Sequence, residues 1–310
     1  MTGKITRERV NPEKIDTTPM RRPDWIKVRA PGGETYAWLK QLMARKELHT
    51  VCEEANCPNM GECWSSGTAT FLVLGDICTR RCGFCDVKRG VPLPLDKEEP
   101  ERVAQAVKAM ELKHAVITSV DRDDDILGGA RIFAQIIRRI HEEVPGCSVE
   151  VLIPDFRADP QALRVILDEQ PDILNHNVET VPRLYRTVQP QDRHEWSHYV
   201  LTSAKQLQPT VLTKSGIMVG LGETWEELEE TMRELREWEV DILTIGQYLQ
   251  PSRQHLPIER FYTLEEFQQL KDYGYSIGFR WVESAPLVRS SYHAAEQVRV
   301  LSTSTPHEQK

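Results

Sequence analysis

From residue 71 onward the chain switches repeatedly between two periodicities, and that alternation leaves few folds open. Strand-like runs at Phe71–Asp76, Ala115–Val120, Val149–Ile153, Ile173–Val178, Lys214–Val219 and Ile242–Tyr248 are short, apolar and rich in β-branched or aromatic residues, as strands buried on both faces must be. Between them apolar residues recur at helical steps. One stripe is Trp225, Leu228, Met232, Leu235 and Trp238, and another is Ile132, Phe133, Ile136, Ile137 and Ile140. Six β/α units in succession demand a parallel sheet with right-handed crossovers, either doubly wound or curled into a barrel. Periodicity does not choose between the two. A chain of 310 residues, 40% hydrophobic, suffices for one such domain with extensions.

Composition closes several other routes. A net charge of −8 argues against general nucleic-acid affinity, which needs a basic face. The longest apolar runs, such as Phe71–Leu74 and Gly216–Leu221, fall far short of the roughly 20 residues of a membrane span. Lys4, Arg7, Glu8 and Arg9 stand where a secretory signal needs apolar residues. The expectation is a cytoplasmic protein with neither nucleic acid nor membrane as partner. Residues 1–35 lack a periodic apolar pattern, and their eight basic residues outnumber the acids. They read either as an extended arm over the body or a partner, or as a partly disordered tail.

Cysteine narrows the chemistry. Seven cysteines in a chain expected to stay in a reducing compartment do not read as a disulfide framework. Six of them form two triplets, Cys52, Cys57 and Cys63, then Cys78, Cys82 and Cys85. Thiols crowded in this way are metal ligands. The second triplet, C-x₃-C-x₂-C, lies in the loop after the first strand and can wrap one cuboidal cluster. Three cysteines on four irons leave one iron without a protein ligand, and an open iron is a binding site. The alternative is a zinc knuckle completed by a distant histidine, His114 or His49. Cys147, away from both triplets, reads as a buried thiol.

With Phe84 just before its last cysteine, the second triplet resembles the signature of the radical S-adenosylmethionine superfamily. The first triplet, in Val51-Cys52-Glu-Glu-Ala-Asn-Cys57-Pro-Asn-Met-Gly-Glu-Cys63, resembles the auxiliary-cluster motif of the lipoyl synthase family. The likeness continues through Cys78-Thr79-Arg80-Arg81-Cys82 and Thr118-Ser-Val-Asp121-Arg122-Asp123-Asp124. It runs on through Asn175-His176-Asn177-Val178-Glu179, Thr213-Lys214-Ser215-Gly216 and Gln247-Tyr248-Leu249-Gln250-Pro251-Ser252, to Arg289-Ser290-Ser291-Tyr292-His293. It spans roughly residues 23 to 294. One departure is Asp125-Ile126-Leu127 before Gly128-Gly129, where the family more often has a Leu-Pro-Asp-like stretch; a changed loop surface is expected there.

The resemblance implies a partial (β/α)₆ TIM-like barrel in an α/β chain, with N- and C-terminal extensions closing one mouth. The arm would cover 1–35, an auxiliary-cluster segment 36–70, the barrel 71–280 and a closing segment 281–310. It implies two 4Fe-4S clusters and S-adenosylmethionine, with Cys78, Cys82 and Cys85 holding the cluster that cleaves it. Cys52, Cys57 and Cys63 would hold the second cluster, completed by an oxygen of Ser291, with Ser290 as the alternative. On composition alone these two serines read as a turn or helix cap. The implied enzyme is a sulfurtransferase. It inserts sulfur at carbons 6 and 8 of an octanoyl chain on a lysine of a lipoyl carrier domain, after 5′-deoxyadenosyl radicals have removed hydrogen from each. Implied carriers are the acyltransferase subunit of 2-oxoacid dehydrogenases and the glycine-cleavage carrier protein; the implied reductant is a flavodoxin or ferredoxin. A methylthiotransferase-like enzyme or a two-cluster electron carrier stays open. The 15 residues from Cys63 to Cys78 reach at most roughly 50 Å, enough to set two clusters on opposite sides of a substrate.

Weaker signals complete the site. Gly216–Glu223 resembles a glycine-spaced segment that lets adenine approach the backbone, which would make Gly220 and Gly222 cofactor contacts; a plain strand and turn explains it equally well. Asn177 and Glu179 end the fourth strand, the edge where barrel enzymes place functional groups. Glu179 would accept from ribose hydroxyls or form a structural ion pair. The acid run Asp121–Asp125 reads as a solvated loop or a ligand contact.

Overall fold

The computed structural model describes residues 21–28, 30–65 and 69–303. Most of the arm expected over 1–35 lies outside the described residues. The chain opens with α1 (Glu34–Arg45), the two-residue strand β1 (His49–Thr50) and the short helices α2 (Val51–Glu54) and α3 (Met60–Ser65). There follow β2 (Thr70–Val73), α4 (Glu99–Ala109), β3 (His114–Ser119), α5 (Ile126–Glu143), β4 (Ser148–Leu152), α6 (Pro160–Leu167) and β5 (Ile173–Asn175). The rest is α7 (Tyr185–Val188), α8 (His194–Leu207), β6 (Leu212–Val219), α9 (Trp225–Glu237), β7 (Ile242–Gln247), α10 (Leu264–Ser276), β8 (Trp281–Ser284) and α11 (Ala294–Thr303).

Strand order decides between the two architectures. The sheet runs β1 to β8 in sequence, parallel from β2 onward, with β1 antiparallel to β2. A doubly wound sheet reverses its strand order at a switch point, whereas sequential order keeps every right-handed crossover on one face and curls the sheet. Accordingly α4 packs on α5, α5 on α6 and α6 on α8 around the outside. Strands β1 and β8 do not pair with each other, so the barrel is partial.

The six expected strands are β2 to β7. Two others escape sequence reading for physical reasons. β1 is too short to show a period, and β8 alternates half-buried with buried residues around Glu283, unlike the apolar runs. β5 ends at Asn175, short of the expected Val178, and pairing with β6 resumes only as an isolated bridge at Glu179, which takes a left-handed φ of 63°. There its N–H donates to Gly216 O and its carbonyl accepts from Met218 N.

Local signals set the helix starts. Thr224 and Glu227 form a reciprocal cap on α9, as Thr263 and Glu266 do on α10. Asp125, in the segment that departs from the family pattern, caps α5 by accepting from Gly128 N at 3.0 Å. The α5 stripe Ile132, Phe133, Ile136, Ile137 and Ile140 is buried throughout, as are Leu228, Met232 and Leu235 of α9.

The bore of the incomplete barrel is filled from the C-terminus. Leu301 of α11 packs with Ile173 and Ile242 at the starts of β5 and β7. Gln297 accepts from the buried Lys214 Nζ at 2.8 Å, and Lys214 lies 3.0 Å from Glu150. Asn175 Nδ2 donates to Glu150 at 2.8 Å, and His114 Nε2 is 3.4 Å away. Burial alone would raise Glu150, but Lys214 and then His114 and Asn175 hold it at about 2.

Removing one partner of a buried pair strands the other charge without solvent. Lys214→Ala should therefore cost about 3–5 kcal/mol. Lys214→Met combined with Glu150→Leu should recover most of it. The midpoint of denaturant unfolding of the holoprotein checks both; equal midpoints for Lys214→Ala and wild type would refute the role given to the pair.

Candidate functional site

A cavity of about 800 Å³ opens at the C-terminal ends of the strands, and all six clustered cysteines line it. The first triad reaches it on short helical turns. Thr50 caps α2 by accepting from Glu53 N, which presents Cys52, and Cys57 N bonds back to Cys52 O at 3.0 Å. Cys63 lies on α3. Asn59 Nδ2 donates to Leu287 O at 2.6 Å and so ties this segment to the chain's C-terminal part.

The second triad sits on the loop after β2, and the backbone pins that loop on several sides. Cys78 N donates to Lys88 O at 2.7 Å, and Gly90 N donates back to Cys78 O at 3.0 Å. Gly83 N donates to Val188 O and Leu256 N to Gly83 O, holding the middle of the loop against two further segments. His255 Nε2 lies 3.1 Å from Cys85 O.

The donor set fits a polynuclear cluster better than a single ion. Four thiolates around one tetrahedral zinc sit about 3.8 Å apart, given a Zn–S bond of about 2.3 Å. Among the described residues only His49, Glu54 and Asp76 bring all their ligand atoms within 4.8 Å of one another, so the sulfurs of neither triad are that close. That compact group is met by Lys88, whose Nζ lies 2.7 Å from Asp76 and 3.7 Å from Glu54. The histidines considered for a zinc knuckle are engaged elsewhere, His49 with Glu54 and His114 with Ser148 at 2.8 Å. Burial pushes Cys52 and Cys78 up to about 12 and Cys85 up to about 11, and it raises Cys57 and Cys82 as well. Such thiols give up their protons to a metal, not to water.

Beside the second triad lies a charge hub that the sequence reading missed. Arg80 is buried, and its guanidinium is shared among four aspartates. Nε and Nη2 donate to Asp123 at 2.9 and 2.8 Å, and Nη1 and Nη2 donate to Asp155 at 2.8 and 2.6 Å. Asp192 also accepts from Nη1, and Asp121 lies 3.3 Å from Nε. Burial, against the pull of Arg80, pushes Asp121 up to about 7 and Asp192 up to about 6. These two approach the cysteines, Asp121 at 3.7 Å from Cys78 Sγ and Asp192 at 3.8 Å from Cys82 Sγ. Of the acid run, then, Asp121 and Asp123 serve Arg80, Asp124 pairs with Arg122 at 2.8 Å and Asp125 caps a helix. The signal was present: a dense acid run and an arginine pair between two cysteines call for each other.

Phe84, Asn177, Glu179, Ser290 and Ser291 also line the cavity. Burial pushes Glu179 up to about 7. Ser290 Oγ lies 2.7 Å from Asn177 Nδ2 and 2.9 Å from its Oδ1, while the Ser291 hydroxyl makes no hydrogen bond among the described residues. Gly220 and Gly222, expected as cofactor contacts, do not themselves line the cavity, whereas their neighbours Ile217 and Met218 do. A Cβ on Gly220 would meet Gln247 Nε2 at 2.2 Å and Arg260 O at 2.6 Å, so the glycine is needed for the close packing of these two residues against its backbone. The glycine of that segment which does face the cavity is Gly216, where a Cβ would meet Asn177 Oδ1 at 2.7 Å. A second omission is Arg289, a cavity-lining cation whose Nη1 donates to Val288 O at 2.6 Å and which has no ion pair among the described residues. No described helix is long and apolar enough to cross a membrane.

Residues 72–235 match the Radical SAM superfamily, and residues 4–57 match the N-terminal domain of lipoyl synthase. The chain is 60% identical to a lipoyl synthase of Rubrobacter xylanophilus, over 89% of this chain and 86% of that one. It is 56% identical to a lipoyl synthase of Koribacter versatilis, over 94% and 97% of the two chains. Among solved structures it resembles Streptococcus suis SuiB bound to S-adenosylmethionine, with a TM-score of 0.55 and 12% identity over 70% of this chain and 50% of that one. It also resembles methylornithine synthase (PylB), with a TM-score of 0.51 and 15% identity over 75% and 81%. These two likenesses speak to fold alone. The curated relatives do not favour a methylthiotransferase or an electron carrier, and at such identity over almost their whole length the chain belongs to the lipoyl synthase family of radical S-adenosylmethionine enzymes.

Proposed function

We propose that this chain, as a sulfurtransferase, inserts two sulfur atoms, at carbons 6 and 8, into an octanoyl chain amide-linked to a lysine of a lipoyl carrier domain. The observation that carries the reading is the convergence of both cysteine triads and the Ser290–Ser291 segment on one cavity. In this reading Cys78, Cys82 and Cys85 hold one 4Fe-4S cluster and leave an iron for S-adenosylmethionine. Cys52, Cys57 and Cys63 hold the other, with Ser291 as the fourth ligand. When bound, these groups supply an oxidant strong enough for an unactivated C–H bond and the sulfur that replaces the hydrogen.

The chain's own residues position and shield. Val116, Leu152, Ile217 and Met218 give the cavity the apolar lining an octanoyl chain needs. A carbon radical must meet its trap before anything else, so holding the chain between two triads replaces a bimolecular encounter by contact. Asn177 and Glu179 stand at the strand edge where ribose hydroxyls can be met, and Phe84 stands beside the second triad. The commitment of Ser290 to Asn177 favours Ser291 as the cluster ligand. The organisation follows as an arm over 1–35, an auxiliary segment over 36–70, the barrel over 71–280 and a closing segment over 281–310. Carriers of the 2-oxoacid dehydrogenase acyltransferase and glycine-cleavage types, a flavodoxin or ferredoxin as reductant, and a cytoplasmic location complete the reading.

Two outcomes test it. Replacing Cys78, Cys82 and Cys85 with Ala should abolish release of 5′-deoxyadenosine, while replacing Cys52, Cys57 and Cys63 should leave release intact and stop sulfur insertion. Loss of release in both variants, with native circular dichroism, would mean the triads do not divide the work.

Ser291→Ala should keep iron content near wild type, because three thiolates still hold the cluster, yet reduce lipoyl product by orders of magnitude. A serine acting only as a cap would cost about 0.5–2 kcal/mol of stability and leave turnover alone. Normal product mass on an octanoyl-lysyl peptide with Ser291→Ala, and none with Ser290→Ala, would move the role one residue.

A further inference from the structure

We infer that the loop Arg89–Leu93, together with Arg81, is the docking surface for the lipoyl carrier domain, and that the carrier meets it with an acidic face around the modified lysine. The inference rests on the function proposed above. It starts from an imbalance of charge at the cavity mouth. Arg22, Arg81 and Arg89 are exposed, line the cavity and make no ion pair among the described residues, in a chain of net charge −8. The exposed acids that also line it are answered: Glu62 accepts from Tyr292 Oη at 3.3 Å, and Glu296 lies 4.0 Å from Arg299. An octanoyl-lysyl arm is neutral, so it gives these cations nothing to bind. The protein that carries the arm does.

The apolar part of the surface follows Arg89 directly along the chain. Val91 is 90% exposed and Leu93 75%, more than any other large hydrophobic residue described. Pro92 and Pro94 interleave with them and stiffen an extended backbone. Through the Cys78–Lys88 and Gly90–Cys78 backbone bonds this loop is fastened to the second triad. Exposed apolar residues rimmed by unpaired charges have the make-up of a protein interface.

The geometry favours the carrier over the electron donor. An electron can cross a layer of protein, so a donor need not sit at the mouth. A covalently tethered acyl chain can enter only there, with its carrier pressed against the rim.

The test uses reconstituted holoenzyme with dithionite as reductant, so that donor docking does not enter the rate. Arg89→Glu and the double variant Val91→Ser/Leu93→Ser are compared with wild type on two substrates, an octanoylated carrier domain and a short octanoyl-lysyl peptide. KM for the carrier should rise on the order of tenfold, with kcat unchanged, and the peptide should show no change. Raising salt should increase the carrier KM of wild type and affect Arg89→Glu less. An unchanged carrier KM overturns the inference, as does an equal loss on both substrates, which would put these residues inside the cavity's chemistry. A rate that falls only when a protein donor replaces dithionite would assign the surface to the donor instead, and also overturns it. Wild-type enzyme that makes no lipoyl product from either substrate would overturn the parent reading and this inference with it; an active wild type with unaltered variants overturns this inference alone.

Discussion

Arg80 holds together the parts of the molecule that have to act as one. Its guanidinium, removed from water, bonds to aspartates that follow β3 (Asp121, Asp123), β4 (Asp155) and α7 (Asp192). A buried cation without anions is untenable, and a buried set of four carboxylates without a cation is equally so. Each side therefore compels the other, and three successive loops at the strand ends are drawn onto the cysteine loop. Thr79 reinforces the junction by donating to Asp121 O at 2.9 Å and accepting from Asp123 N at 3.1 Å. The position of Cys78 and Cys82 is thus a property of the whole barrel rim, not of their own loop.

The opposite wall of the cavity depends on the chain's return. After β8 the segment through Val288 and Ser290 crosses the strand ends, where Asn177 takes Ser290 and Asn59 takes Leu287 O. Past that crossing, α11 carries Gln297 down to Lys214 and Leu301 down to the starts of β5 and β7. The sheet, seven parallel strands plus the short antiparallel β1, is not closed by pairing of β1 with β8, and the C-terminal helix packs into its bore. One segment therefore both plugs the barrel and brings Ser291 to the first triad's cavity. The Glu150–Lys214 pair stands where these two tasks meet, with its remaining polar partners supplied by Asn175, His114 and Gln297.

Burial explains the character of the cavity. The same exclusion of water that raises the thiols, Asp121 and Glu179 also protects a radical from side reactions. Polar groups in such a space are held by other polar groups, as Asn177 is by Ser290 and Glu179 at 2.7 and 3.1 Å. Arg289, held by Val288 O and with no ion pair within 4.0 Å among the described residues, lines the cavity with Cys57 and Glu179.

The six apolar runs, the helical stripes and the two cysteine spacings were legible in the sequence because each rests on near neighbours along the chain. Period two, helical steps and the reach of a short loop need no knowledge of the rest. Periodicity left the choice between a doubly wound sheet and a barrel open, since strand order is a relation between segments far apart; only the resemblance carried by the cysteine motifs pointed to the barrel. Not legible at all were the partners of Arg80, the burial of Lys214 or the close packing of Gln247 and Arg260 O on Gly220. The sequence by itself determined which elements form and which side chains can ligate. The tertiary structure alone decided which of them share a cavity and which charges meet out of water, because burial and charge pairing act through space, between residues as distant along the chain as Arg80 and Asp192.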